Sequence, residues 1–273
     1  MSVSGVAQVI RLEVSKLSSQ LVVTVVLWVC VVAPVLLVLA LKVQSGTPAD
    51  TLFGRWVHAS GLAIPLVVMG FAGQWAFPAI ASIVAGDVFS SEDRYSTWKL
   101  VLGRSRNRAE VFTAKTVVAL GFAVLAACLV ILSSLAAGLL LVGRQPLLNL
   151  SGTLVPAGKG AWLVLLSGLV QLAPVVTMAA IALLLSVLTR NSLVGVAGPV
   201  LLGLVIQLVT LVDLPPVLRS LLPSGTFAAW HGLWLDNQIV GPIGLGCIAC
   251  AVLTVACVTA AAVVFLRRDL EVR

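Results

Sequence analysis

Residues 87–115 read DVFSSEDRYSTWKLVLGRSRNRAEVFTAK, and the fold turns on how this stretch is read. It carries ten charged residues: Asp87, Glu92, Asp93, Arg94, Lys99, Arg104, Arg106, Arg108, Glu110 and Lys115. The whole chain has only 17 Lys+Arg and 10 Asp+Glu, so this is where a soluble partner would find most to hold. Ser90 with Asp93 three residues on has the form of a helix-capping box. Gly103 is a natural helix stop, because glycine enters the left-handed conformation without steric penalty. Tyr95, Trp98 and Leu102 fall at i, i+3 and i+7, one helical stripe between those two signals. Asn107 with Glu110 repeats the cap pattern. The expectation is a short amphipathic helix, a basic turn, and the start of a long helix. A solvated loop obeying only charge rules is the plainer alternative, and two helix-start signals weigh against it.

Outside this stretch the chain is greasy. It is 60% hydrophobic and 10% charged, with a mean hydropathy of +1.14. Soluble domains carry about 25% charge. Apolar runs of about 20 residues predict helical membrane spans, not the alternating strands of a barrel. The net charge of +7 does not point to nucleic acid, because the cations flank apolar runs and read as topology determinants. Cys30, Cys128, Cys247, Cys250 and Cys257 all sit within apolar runs. The Cys247-x-x-Cys250 pair has no histidine or further cysteine nearby, so packing is preferred to redox or zinc chemistry.

The expected fold is an all-α integral membrane domain over residues 1–273. Six spans are placed at about 21–42, 60–86, 113–142, 161–189, 192–212 and 241–266. Residues 3–20 form an interfacial elbow helix, with Val3, Val6, Ile10, Val14 and Leu17 on one stripe. Residues 87–103 form the cytoplasmic helix. Residues 213–240 form a short re-entrant or interfacial segment on the outer face, with Phe227, Trp230 and Trp234 turned toward lipid. Both termini are then inside. Twelve Lys/Arg fall on the inner side and five on the outer, the positive-inside bias.

Catalytic motifs are faint. GTLVPAGKG at 152–160 differs from a phosphate-binding loop in its glycine spacing, and Gly160 stands where Mg²⁺ would need a hydroxyl. His58-Ala59-Ser60-Gly61 distantly resembles the serine motif of rhomboid-type intramembrane proteases, with His231 as a possible base; an interfacial histidine and a helix-start serine are the plainer readings. Asn149-Leu150-Ser151 is a glycosylation sequon. The spans hold no placed charge, which argues against ion-coupled transport. Their neutral polar residues, Gln74, Trp75, Gln171 and Gln207, are candidates for a substrate path, with interhelical hydrogen bonding as the alternative.

Glu92-Asp93-Arg94-Tyr95-Ser96-Thr97, with Leu102, Arg108 and Lys115 at their spacing, resembles the signature of ATP-binding-cassette exporter permeases of the second type. The ending Phe265-Leu266-Arg267-Arg268-Asp269-Leu270 is similar to that family's ending. Ser96 stands for a family Gly, Ser105 for Pro and Ala114 for Gly. The resemblance implies a permease without its own cofactor, working with separate nucleotide-binding ATPase subunits that hold ATP and Mg²⁺. It implies pairing with a second permease copy or a paralogue in the lipid bilayer of a bacterial plasma membrane. It makes Glu92, Arg94, Tyr95, Thr97, Trp98, Lys99, Arg104, Arg108 and Lys115 candidates for ATPase coupling, with Tyr95 or Trp98 as an aromatic anchor. Family substrates include drugs, antibiotics, lantibiotic-like peptides, lipids and glycans; charge-free spans favour a hydrophobic or amphiphilic one. A rhomboid-like serine hydrolase and a non-transporting scaffold or sensor subunit are the competing readings.

Overall fold

The computed structural model describes residues 3–44, 46, 52–98, 107–209 and 215–267. Helix α1 (Val3–Ser18) leads through a two-residue turn into α2 (Leu21–Val43). Next come α3 (Ala63–Gln74), α4 (Ala76–Asp87), the short α5 (Ser90–Arg94) and α6 (Arg108–Leu141). A two-stranded antiparallel hairpin, β1 (Leu147–Leu148) and β2 (Leu154–Val155), joins α6 to α7 (Ala157–Thr189). Then follow α8 (Ser192–Val209), α9 (Pro216–Leu221), α10 (Pro223–Ala229), a 3₁₀ turn at Trp230–Trp234, and α11 (Gly241–Arg267).

Among the described residues four helices, α2, α6, α7 and α11, are long and apolar enough to cross a membrane. Helices α3 and α4 pass the same test only as a pair, meeting at 58°. Helix α8 is apolar but shorter. Helices α6 and α7 are the centre of the bundle: 44% and 56% of their apolar windows are buried, against 22% for α2 and for α11. The outward faces of α2 and α11 stay apolar, with Trp28, Leu36, Ile248 and Val252 exposed, as helices bathed in hydrocarbon require. Pro34, Pro174 and Pro199 lie inside helices, as neighbouring helices in a bilayer permit.

The bundle has two polar ends. At one, the basic end, the start of α6, the finish of α4, α5, the α7–α8 turn and the finish of α11 converge with α1. At the other, the hairpin strands meet the 3₁₀ turn before α11: Leu150 N–H donates to the Trp234 carbonyl at 2.9 Å. There Asp236 accepts from Asn149 Nδ2 at 2.7 Å and from Thr153 Oγ1 at 2.6 Å. Asn149 is buried and uses both ends of its amide, its Oδ1 accepting from Ser151 and Thr153 N–H, so the sequon is spent on holding the hairpin.

Two sequence expectations change here. Phe227, Trp230 and Trp234 turn into the protein, not toward lipid: all three are buried, Phe227 against Phe77 and the tryptophans against Phe53. Burying such large rings against one another, with the Trp234 indole N–H on Ser167 Oγ at 3.1 Å, outweighs leaving them at an interface. On α1 the inward stripe is Val6, Ile10, Glu13 and Leu17; Val14 is exposed and Glu13 takes its place.

Candidate functional site: a buried ion cluster beneath an exposed turn

Helix α5 is five residues long and follows α4 after only Val88 and Phe89. The 90–103 helix that the stripe predicted is interrupted after Arg94, and its last part, 99–103, lies outside the described residues. Ser90 is the first residue of α5, not its cap, and its hydroxyl turns back to the Gly86 carbonyl at 3.0 Å. The chain leaves the helix at Tyr95, and Ser96 takes a left-handed φ of 52°. That turn is closed by Ser96 N–H on the Asp93 carbonyl and Thr97 N–H on the Glu92 carbonyl. The Thr97 hydroxyl adds a short bond to the Glu92 carboxylate. The left-handed residue separates Tyr95 from Trp98, so the two no longer share a face. Tyr95 is 69% exposed, whereas Trp98 is 6% exposed.

Trp98 belongs to an aromatic knot. Its ring lies 6.3 Å from Phe89 and 5.3 Å from Phe265, and Phe89 and Phe265 both contact Phe112. Its indole N–H donates to Asp93 Oδ1 at 3.0 Å. Three strands of logic, from α4–α5, α6 and α11, thus meet in one apolar lock. Trp98 is thus packed into the protein, whereas Tyr95 is exposed.

Under this lock lies the ion cluster. Lys115 of α6 is fully buried, its ammonium 2.9 Å from Glu92 Oε1, 2.9 Å from Glu13 Oε1 and 3.3 Å from the Val88 carbonyl. Glu92 is 1% exposed, and Lys16 of α1 reaches it at 2.5 Å. The buried Lys115 bridges two buried carboxylates and the half-exposed Lys16 adds a second cation at the edge, so the charges balance, the condition under which a buried ion pair is tolerated. Burial would raise the Glu92 carboxyl, but the Lys115 charge and the bonds from Lys16, Thr97 and Lys115 outweigh it and hold its pKa at about 2. A second cluster ties the other flank. Arg94 pairs with Asp87 at 2.6 Å and donates to Ser192 Oγ at 2.5 Å, while Ser192 also bonds Asp87. Ser90 N–H donates to Ser186 Oγ at 3.2 Å. The α5 segment is therefore bolted to α1 and α6 on one side and to the α7–α8 turn on the other.

Facing outward over these bolts are Arg94 and Tyr95, the guanidinium lying 5.4 Å over the phenol ring. A cleft of about 670 Å³, lined by Lys16, Leu21, Asp87, Arg94, Tyr95 and Val196 among others, opens beside them. Of the coupling candidates, the structure thus gathers Glu92, Arg94, Tyr95, Thr97, Trp98 and Lys115. Arg108 opens α6 directly after the Asn107 cap, whose Oδ1 accepts from Ala109 N–H at 3.1 Å. Lys99 and Arg104 lie outside the described residues. Glu13, Lys16, Asp87 and Ser192 join them in the structure and are not among the coupling candidates read from the sequence. Their signal was faint: Glu13 and Lys16 are charges on an otherwise amphipathic helix, and their partners lie far along the chain.

The two polar span residues with described side chains, Gln171 and Trp75, sit in different surroundings. Gln171 is fully buried and donates Nε2 to the Met69 carbonyl at 3.2 Å, bracing α7 against α3. Trp75 is half exposed at the α3–α4 break. Gln74 and Gln207 fall in α3 and α8, with side chains outside the described residues. Ser60 is buried with its hydroxyl on the Gln145 carbonyl at 2.7 Å, and His231 stacks against Trp230. Nothing here supports a Ser–His hydrolase.

Fold and site together define a multi-pass helical membrane protein with a rigid, charge-locked segment at one end. Residues 9–210 match the family model described as ABC-2 family transporter protein, and the chain belongs to that family. Its members are transport membrane subunits that work with ATP-binding subunits. No curated protein matches the chain.

Proposed function

We propose that this chain is the permease subunit of an ATP-driven exporter for a hydrophobic or amphiphilic substrate, and that Arg94 and Tyr95 form the contact face for a separate ATPase. The observation that carries this is the exposed Arg94–Tyr95 turn bolted from beneath by the Lys115–Glu92–Glu13–Lys16 cluster. A contact that transmits force needs an exposed anchor on a segment that does not yield, and rigid aromatics and arginines are the usual anchors. In this reading Glu92, Thr97, Trp98 and Lys115 hold the face in position without touching the partner, while Lys99, Arg104 and Arg108 add positive charge around it. ATP and Mg²⁺ act in the partner.

The proposed topology has six spans, with α3–α4 as the second and α8 as the fifth, and both termini cytoplasmic. It is supported by the Ser192–Asp87 contact at the basic end and the Trp234–Leu150 contact at the hairpin end, since the chain has to pass from one to the other between them. The excess of Lys/Arg at the basic end favours that end as cytoplasmic. A second copy or a paralogue completes the transporter in a bacterial plasma membrane.

The test is affinity capture of the tagged chain from its native membrane in mild detergent, with mass analysis of the eluate. Recovery of a protein with nucleotide-binding motifs, lost with Arg94→Ala/Tyr95→Ala, is the expected result. Capture of the chain without any such ATPase would sink the reading.

A further inference from the structure

The α3–α4 span, residues 63–87, is one apolar run, yet it bends by 58° near its middle. Trp75, at φ −126° and ψ −53°, belongs to neither helix. Both halves pack along α6 and α7, but their closest backbone contacts differ above and below the break. At the hairpin end Gly61 lies against Gly138 of α6 so closely that a Cβ on either would stand 2.1 Å from the other's carbonyl oxygen. Gln171 fastens the rest of α3, through Met69, to α7. Below the break, α4 crosses α8 at Gly86 and Gly195, where an added Cβ would stand 2.4 Å from the opposing backbone. From there α4 passes directly into α5 and its two ion clusters. Helix α3 is thus held at the hairpin end, and α4, which packs on α6, α7 and α8, runs down to the docking end.

Gln171 carries a second feature. Its Oε1 is buried and has no hydrogen-bond partner among the described residues. A Cβ built on Gly73, next to the break, would fall 3.3 Å from that same oxygen. A buried acceptor left unpaired is destabilising and asks for a reason. The break offers one, because the first turn of any helix leaves backbone N–H groups without intrahelical acceptors, and only Pro78 removes a donor there. The unpaired acceptor therefore sits next to Gly73, at the interruption of the span where helix-start donors fall.

We propose that α3–α4 is a jointed span, with residues 74–76 as the joint and Gln171 as its positioning residue. Nε2 anchors α3 to α7, and Oε1 receives a backbone N–H of the joint when α4 swings with α5. Motion at the docking segment then moves the lower half of this span while the upper half stays with the hairpin end. The inference rests on the permease reading and specifies how movement at α5 enters the membrane.

The experiment uses the full chain with its co-purified ATPase in nanodiscs, native cysteines replaced, and two spin-label pairs read by electron–electron distance measurements. One pair, Phe71→Cys with Leu169→Cys, spans the α3–α7 brace; the other, Ile83→Cys with Leu188→Cys, spans α4 and the end of α7. Adding Mg²⁺ and a non-hydrolysable ATP analogue is expected to shift the second distance by more than about 2 Å and leave the first unchanged. Equal movement of both pairs, or of neither, overturns the joint. Gln171→Met is expected to keep the ATPase bound but lower hydrolysis of Mg²⁺–ATP by the complex about tenfold. Gln171→Glu, protonated in hydrocarbon and so retaining a donor and an acceptor, is expected to restore it. Full coupling in Gln171→Met removes Gln171 from the role. Failure to recover any ATPase is a separate outcome that removes the permease reading, and this inference with it.

Discussion

Lys115 has no water to fall back on, so its worth is seen by removing it. Lys115→Met would strip the buried Glu13 and Glu92 of their shared cation, leaving Glu92 only Lys16, and breaking a buried pair in this way costs about 3–5 kcal/mol. Lys115→Met with Glu13→Gln and Glu92→Gln removes the charges together and is expected to recover most of that loss. Thermal unfolding in detergent separates the two; equal melting of Lys115→Met and the native chain would show that the cluster is not structural. The same cluster sets an acid limit. Glu92 has a folded pKa of about 2 against an ordinary value of 4.5, so its contribution is whole above about pH 4.5. It fades as pH falls toward 2, because the unfolded chain takes the proton first. Glu92→Gln should therefore narrow its stability gap to the native chain between pH 6 and pH 3. Ser96 supplies a residue prediction of opposite sign. A left-handed φ disfavours a side chain, so Ser96→Gly is expected to raise stability by about 0.5–1 kcal/mol and Ser96→Val to lower it by about 1–2 kcal/mol. Both are read by the same melts.

At the scale of the element, residues 87–115 announced themselves by charge density and by caps, and the Asn107 cap stands where the pattern put it. A helix beginning at Ser90 was legible, but its interruption at Tyr95–Thr97 was not. Ser90 and Asp93 have the spelling of a capping box, yet α5 runs straight on from α4, so there is little free helix start to cap and Ser90 turns back to Gly86. The i, i+3 spacing of Tyr95 and Trp98 holds only on an unbroken helix, and the Glu92–Thr97 bonds break it. Lys16 was invisible as a partner of Glu92 because 76 residues separate them, and no local rule reaches so far. The split between the two aromatics makes a prediction that the unbroken stripe would not. Tyr95→Ala changes a mostly exposed ring, so stability should move by no more than about 0.5 kcal/mol. Its loss of ATPase affinity should be tenfold or more, on the scale of an interface anchor worth about 2 kcal/mol. Trp98→Ala empties the aromatic knot and should cost about 3–5 kcal/mol of stability. Melting curves and capture of the ATPase, run on both variants, check the pair. A destabilised Tyr95→Ala or a thermally silent Trp98→Ala would reverse the assignment of anchor and lock.

For the molecule as a whole, hydropathy gave the membrane class at once, since each long apolar run is its own signal and needs no tertiary information. It did not reveal which aromatics face lipid. Phe227, Trp230 and Trp234 have belt composition, and only the presence of Phe53 and Phe77 opposite them, remote in sequence, turns them inward. Nor does hydropathy decide the passage through α8. Its 18 residues rise about 27 Å, slightly less than a hydrocarbon core of about 30 Å. The number of crossings between Tyr95 and Asn237 is therefore the quantity to measure. If α6, α7 and α8 all cross, that number is odd and the two residues face opposite sides of the membrane. A membrane-impermeant maleimide applied to intact cells or spheroplasts should then label Asn237→Cys, and label Tyr95→Cys only after lysis. The five native thiols give little background, because all lie within helices and are buried or partly buried. Labelling of both positions from the same side would make the count even. The α8 segment would then enter and leave by one face, and the six-span permease reading would have to give way to five crossings with one re-entrant helix.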